Sequence, residues 1–301
     1  MKYLFYPGCS MESSALEYKD SMYASLQALG AEVEELEDWT CCGASVAPVM
    51  SDLLGMVLPA RNLALAERAQ SSAVGGVGGG ADGDRQVIVG CSACFISFQR
   101  TIEAAADRAK LEKMNRALEV EGLTYHGKAQ VRHLLDVLAN DFKRSEIEAK
   151  VKRPLTGLKV APYYGCQTIR PYASFDDGQV PHSMVGILEA LGATVYHHLH
   201  EATCCGTALL TTKPELGLGI VGTILADTTA ADCIATVCPM CHMNLDSYQD
   251  KVSQVMGKKL SKIPVLFLPQ LIGLAFGVPE ERLLFKRHVV PVGPALAKVP
   301  A

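Results

Sequence analysis

Ten of the eleven cysteines fall into two sets with the same internal order, and no other feature constrains the fold as strongly. The first set is Cys9, Cys41, Cys42, Cys91 and Cys94; the second is Cys166, Cys204, Cys205, Cys238 and Cys241. Each set reads as one cysteine, then a Cys-Cys-Gly triplet ending at Gly43 or Gly206, then a closing Cys-x-x-Cys pair. The repeat extends beyond cysteine. Tyr6-Pro7-Gly8-Cys9 parallels Tyr163-Tyr164-Gly165-Cys166, and Leu29-Gly30-Ala31-Glu32-Val33 parallels Leu191-Gly192-Ala193-Thr194-Val195. Met22, Leu26 and Leu29 correspond to Met184, Leu188 and Leu191, a four-then-three spacing that puts each trio on one helical face. Two long copies imply a duplication rather than a solenoid, which stacks more and shorter repeats.

Each half reads as strand, Gly-Cys turn, amphipathic helix, strand, Cys-Cys-Gly loop, helix, short strand, Cys-x-x-Cys turn and helix. The candidate strands are 3–6, 32–36 and 87–89, then 159–163, 194–197 and 234–237. This alternation predicts an α/β protein made of two homologous, cysteine-rich, Rossmann-like halves with largely parallel sheets. The expected domains are 1–150 and 151–301, with the basic, Pro-containing stretch 148–157 as the boundary and a Gly-rich insertion at 71–84. In every case cysteines follow the carboxyl end of a strand, where open α/β sheets place their ligands. Within the insertion, Gly76-Val77-Gly78 is not a dinucleotide fingerprint, because no strand leads into it and Ala81 occupies the last glycine position.

The formal charge of −4 gives no basic field for nucleic acid. The apolar stretch 1–7 is shorter than a secretory signal requires, so export by that route is not expected. The stretch 263–278 is interrupted by Pro264, Pro269 and Gln270 and falls short of the ~20 residues that span a bilayer, so no transmembrane segment is expected. A cytoplasmic location follows as the expectation, and there thiols stay reduced. Eleven cysteines then point to metal binding or redox chemistry rather than a disulfide scaffold.

Iron–sulfur clusters are held by thiolates, usually four to a cluster, in turns whose backbone N–H groups reach the sulfurs. Five per set, with two adjacent, is unusual for a cubane, since neighbouring side chains of extended backbone diverge. Gly43 and Gly206 can relieve this by taking a positive φ. The bacterial ferredoxin cysteine run is absent, so low-potential electrons would come from a separate protein.

On these residues, from Tyr3 to about His242, the chain resembles the B subunit of heterodisulfide reductase and its bacterial relatives. The resemblance implies two noncubane [4Fe-4S] clusters, one on each set of five cysteines. It further implies cleavage of a disulfide between them, each cluster taking one sulfur. Two partners are implied as well: an electron-transfer protein with cubane [4Fe-4S] clusters, similar to the C subunit, and a flavin-containing protein similar to the A subunit. The implied substrate is a disulfide, a thiol or lipoate-bound sulfur, with sulfur oxidation the direction favoured by the insertion and composition. The alternative is a noncatalytic electron relay or a structural zinc subunit. Zinc, however, would leave Cys9, Cys166 and both Cys-Cys pairs unexplained.

Seven further features are weighed against plain packing. Cys233 lies outside the repeat in an apolar strand and reads as a buried hydrophobe. His197, His198 and His200 read as a strand end rather than a ligand trio. His242 must sit near a cluster and is a candidate for proton delivery, for a hydrogen bond to the cluster or for packing. Arg170, four residues after Cys166, is a candidate for binding an anionic group or neutralising a cluster. Trp39 reads as core or as a shield for a cluster, and the stripe 53–66 as helix core. The apolar tail 265–276 would dock on the body or on a partner.

Overall fold

The computed structural model describes residues 1–74 and 86–300, so most of the expected 71–84 insertion lies outside the described residues. Strands β1 (Lys2–Tyr6), β2 (Glu32–Glu35), β3 (Gln86–Val89) and β4 (Val131–His133) form one sheet in the order β2-β1-β3-β4. Strands β5 (Lys159–Tyr163), β6 (Thr194–Val195), β7 (Cys233–Thr236) and β8 (Val265–Phe267) form a second in the order β6-β5-β7-β8. All pairings are parallel, and the identical order makes the duplication a property of the fold. The central strands β1, β3, β5 and β7 are apolar and buried on both faces, as parallel strands between helices must be. Edge strand β2, Glu-Val-Glu-Glu, instead alternates exposed and half-buried.

Each half has a fourth strand that periodicity does not reveal. β4 and β8 are three residues long and run directly into helices Leu134–Asn140 and Leu268–Ala275, leaving too little alternation to read. The apolar tail is therefore β8 plus a fully buried helix, and it docks on the body. It packs against helix Leu16–Ala28 of the first half, where Ser25 Oγ donates to Pro269 O at 2.9 Å. Glu67, buried, accepts from the N–H groups of His126, Lys128 and Ala129 at 2.7, 2.6 and 3.1 Å, which fixes the approach to β4.

Two smaller expectations need correcting. β6 stops at Val195, so His197 lies past the strand end. In helix Asp52–Val74 the core face begins at Ala60, Leu63 and Ala64, while Leu53 and Leu54 are 39% and 40% exposed.

The largest hydrophobic core draws on both halves, bringing Tyr18, Met22 and Leu26 together with Leu188, Phe267 and Leu271. Tyr18 stacks on Phe267 with centroids 4.2 Å apart and planes 6° from parallel. At about 1.5–3 kcal/mol for each large side chain buried, this shared core holds the halves at a fixed separation.

Candidate metal centre

The first cysteine of each set follows a glycine in the left-handed region, Gly8 at φ +65° and Gly165 at +68°. A Cβ on Gly165 would lie 2.9 Å from Cys241 Sγ, and one on Gly8 3.3 Å from Cys94 Sγ. Glycine is thus required twice over, by the backbone and by the thiol facing it. Gly43 and Gly206 take φ of +68° and +76°, which turns the Cys-Cys loop as expected. Their N–H groups point at the sulfurs of Cys41 and Cys204, at 3.5 and 3.4 Å.

The Cys-Cys-Gly loops are tied back to the strands by a repeated pair of bonds. Tyr6, at the end of β1, donates to Thr40 O at 2.8 Å, and Tyr163, at the end of β5, donates to Thr203 O at 2.6 Å. Thr40 and Thr203 immediately precede Cys41 and Cys204. The closing pairs start helices Ser92–Ala105 and Pro239–Ser247, with Cys91 and Cys238 at the N-caps.

The thiols of each set meet in the same order. In the first half contacts run Cys9–Cys41 (3.9 Å), Cys41–Cys42, Cys42–Cys94 (3.2 Å) and Cys94–Cys91. In the second they run Cys166–Cys204, Cys204–Cys205, Cys205–Cys241 (3.5 Å) and Cys241–Cys238. Cys91 and Cys238 then face each other across the halves, the contact pushing the Cys91 thiol up and helping to hold Cys238 down, so ten sulfurs form one continuous row. The row is open to solvent at Cys9, Cys41 and Cys204 and buried at Cys91, Cys94, Cys238 and Cys241.

Like charges at this spacing cannot all be carried without a cation. Hydrogen bonds from Cys41 and then Cys94 hold the Cys42 thiol down, and its contact with Cys42 pushes Cys41 up. In the second half Cys166 and then Cys205 hold Cys204 down, and the contact with Cys204 lifts Cys205 to about 11. In each half one thiolate is stabilised first by neighbouring thiols that keep their protons. A donor set of five convergent sulfurs with glycine N–H groups directed at them suits a thiolate-bound iron–sulfur cluster.

Cys233 is fully buried within β7 and outside the sulfur row, and burial pushes its thiol up. His197, His198 and His200 face three different partners, Glu201 Oε1, Pro162 O and Thr203 Oγ1. His242 is buried and stacked on Phe267 at 4.2 Å, with Nε2 3.0 Å from Val265 O and 3.1 Å from His288 Nδ1. Its ring therefore lies in a histidine network beneath the closing pair, and burial pushes it down to about 3. Asp246 and His288 complete a buried group with His242, but Asp246 accepts from Val289 N and Val290 N, and His288 accepts from Gln270 Nε2. Arg170 donates to Gly178 O at 3.1 Å and to Ala202 O, and its charge favours the Cys204 thiolate. Trp39 is half-buried, edge-on to Tyr6 at 5.6 Å.

Two arrangements between the halves carried no sequence signal. The Tyr18 hydroxyl reaches Gly90 O and Val237 O, the residues just before Cys91 and Cys238. Ser92, inside the first closing pair, contacts His133 Nε2 at 3.3 Å, Thr168 Oγ1 at 2.6 Å and the Cys238 thiol. The shared threonine before each Cys-Cys-Gly was visible in the repeat and marks the tyrosine anchors.

A doubled α/β half with five convergent thiols in each defines a cysteine-rich metal-binding redox class. The chain belongs to the CCG cysteine-rich domain family, which matches residues 3–99 and 160–246. It is 36% identical over 295 residues to the 8-methylmenaquinol:fumarate reductase membrane anchor subunit of Wolinella succinogenes, covering 96% of this chain and 97% of that protein. It is 29% identical to a protein of Archaeoglobus profundus described as like the B subunit of heterodisulfide reductase, covering 94% and 93%. Identity is 27% to the B subunit of the ferredoxin/F(420)H(2)-dependent CoB-CoM heterodisulfide reductase of Methanosarcina acetivorans, covering 99% and 97%. A hypothetical protein from Helicobacter pylori shares the fold, with TM-score 0.73 at 16% identity over 96% of this chain, which spans about half (51%) of that one. Together these support an iron–sulfur redox subunit of a multi-subunit assembly.

Proposed function

We propose that this chain is the subunit of a heterodisulfide reductase-like complex in which disulfide or sulfane-sulfur redox chemistry takes place at two noncubane [4Fe-4S] clusters. The observation that carries this reading is the unbroken sulfur row, with its two sets of five thiols meeting at Cys91 and Cys238. Cys9, Cys41, Cys42, Cys91 and Cys94 would hold one cluster, and Cys166, Cys204, Cys205, Cys238 and Cys241 the other. When bound, the clusters supply one-electron redox chemistry and an iron that accepts sulfur. Opening one disulfide takes two electrons and two protons and yields two thiols, so two adjacent one-electron sites match the stoichiometry; sulfur oxidation runs the same balance backwards.

The chain's own residues position and insulate. Tyr6 and Tyr163 hold the two loops, and the buried closing pairs exclude water from the middle of the row. A small crevice of about 40 Å³, lined by Ala44, Ala93, Ser97, Arg100 and Gln167, adjoins residues of both sets, and Arg100 at its edge would offer a cation to an anionic group. Arg170 stabilises negative charge at Cys204. His242, neutral and locked beneath Cys241, supports the closing pair. Electrons would pass between this chain and partners carrying cubane [4Fe-4S] clusters and flavin, in the cytoplasm.

The test is anaerobic iron, sulfide and zinc analysis of the holoprotein with EPR during thiol addition. About eight irons per chain and a thiol-induced signal are expected. Zinc with little iron would overturn the reading.

A second reading, an electron-transfer component of a quinol-linked fumarate reductase, rests on the Wolinella relative and on one surface. Val46, Val49 and Met50 are 65%, 83% and 73% exposed just past the first Cys-Cys-Gly, and Leu53 and Leu54 continue the apolar row. Among the described residues no helix is long and apolar enough to cross a membrane, so attachment to a lipid surface would use this row. Flotation with anionic liposomes, abolished by Val49→Asp with Met50→Asp, would favour this reading; no flotation of the unaltered protein removes it.

A further inference from the structure

The two sites share a ligand set but not their surroundings, and at three matched positions the side chains differ in a way that favours negative charge in the second half. Two residues after the second cysteine of each Cys-Cys pair stands Ala44 in the first half and Thr207 in the second. Thr207 Oγ1 lies 3.0 Å from Cys205 Sγ. The direction of that bond follows from Asn244. Its Nδ2 donates to Cys205 O at 3.1 Å and to Thr207 Oγ1 at 2.8 Å. Reversing the amide would set its oxygen against the Cys205 carbonyl, so the orientation is fixed. Thr207 therefore accepts from Asn244, and its own proton goes to the Cys205 sulfur.

The matching first-half position, three residues after the last cysteine, is Ser97, which donates to Cys42 O at 3.2 Å. It supports the loop as Asn244 does. However, its single proton leaves nothing to orient a second hydroxyl, and Ala44 carries none. Arg170 and Ser13 stand four residues after Cys166 and Cys9. Arg170 brings a positive charge to Cys204, whereas Ser13 donates to Cys9 O at 2.7 Å. Ser92, inside the first closing pair, lies near Cys238 of the second set, but its proton goes to Thr168 Oγ1, which itself donates to Tyr164 O, so it adds no donor there.

Hydrogen bonds to ligand sulfur and nearby positive charge stabilise the reduced state of a cluster and raise its potential. We infer that the pair is electronically polarised: the second-half site, bordered by Thr207, Asn244 and Arg170, is reduced before the first-half site. Electron exchange between the two sites would then favour the second-half site across the Cys91–Cys238 contact. This rests on the two-cluster reading above.

The test is an anaerobic redox titration of the holoprotein followed by EPR, with iron content measured on the same sample. Two separate one-electron waves are expected, and Cys205→Ser should remove the one at higher potential. Thr207→Val, which keeps the shape without the hydroxyl, should shift only that wave to lower potential. Arg170→Gln, at an exposed position, should shift the same wave in the same direction. Coincident waves in the unaltered protein would overturn the polarisation, as would variants that move the lower wave or both waves equally, while leaving the two-cluster reading intact. Absence of iron would overturn both.

Discussion

The hydroxyl of Tyr18 lies 2.9 Å from Val237 O, and the same oxygen lies 3.1 Å from Gly90 O. One buried phenol from the first half therefore spans the two carbonyls that lead into Cys91 and Cys238, the residues at which the sulfur rows meet. Its ring is held on Phe267, so the span is fixed by both the hydrogen bonds and the stack. Tyr18→Phe should keep the stack and leave the buried Val237 carbonyl, the nearer acceptor, without this donor, costing about 1–3 kcal/mol. Urea unfolding should show a lower midpoint with an unchanged slope. An unaltered midpoint would show that the hydroxyl contributes nothing.

The glycine before each first cysteine gives a sharper test of the site. Gly165→Ala would force a methyl to 2.9 Å from Cys241 Sγ at a positive φ, so the second-half site should be lost and iron should fall by about half. Gly30→Ala is the matched control, with φ +83° and open space around it. It should cost roughly 1–2 kcal/mol of stability and leave iron content unchanged. Equal iron loss in both variants would mean that backbone strain alone, and not the approach to the thiol, explains the glycine.

Cys233 separates ligands from packing. It is buried in β7 beside residues paired to β5 and β8, away from the row. Cys233→Ala should retain full iron and cost roughly 1 kcal/mol from the small cavity. Cys42→Ser and Cys205→Ser should each lose about half the iron with little change in the protein's secondary structure. Iron loss in the Cys233 variant, or full iron with both serine variants, would contradict the assignment.

His133 and His288 make stability depend on acidity. Burial pushes both down to about 4 from the ordinary 6.5, so each is neutral in the folded chain and takes a proton more readily when unfolded. Their contribution is fully present above pH 6.5 and is lost as pH falls from there toward 4. Each histidine can add up to about 1.4 kcal/mol per pH unit to the slope in that window. Denaturant midpoints measured from pH 7 to 4.5 should fall, and more shallowly in His133→Gln, which cannot take up a proton. A flat profile would show that these rings take up protons equally in the folded and unfolded chain.

Much of the architecture was legible because repetition does not depend on context. The order of cysteines, the tyrosine–glycine–cysteine entry and the four-then-three apolar spacing named two like halves, and the two sheets have the same strand order. β4 and β8 were invisible for a local reason: three residues followed at once by a helix leave no alternation to read. The tail illustrates the same limit. Its apolar run announced burial, but whether the partner was the body or another chain depended on the face of helix Leu16–Ala28, which only packing reveals.

The sequence by itself determined that there are two five-thiol sets, because the identity and spacing of the cysteines are properties of the chain. It also determined that Gly43 and Gly206 would turn the loops, since glycine takes that φ without a Cβ to strain it. Tertiary structure alone decided that Cys91 meets Cys238, that Tyr18 reaches Val237, and that Ser92 of one half reaches a cysteine of the other. Those contacts join residues far apart in the chain, and no periodicity encodes them. They exist because the two halves bury one hydrophobic core between them, and that shared burial sets the distance and orientation at which the two sites face each other.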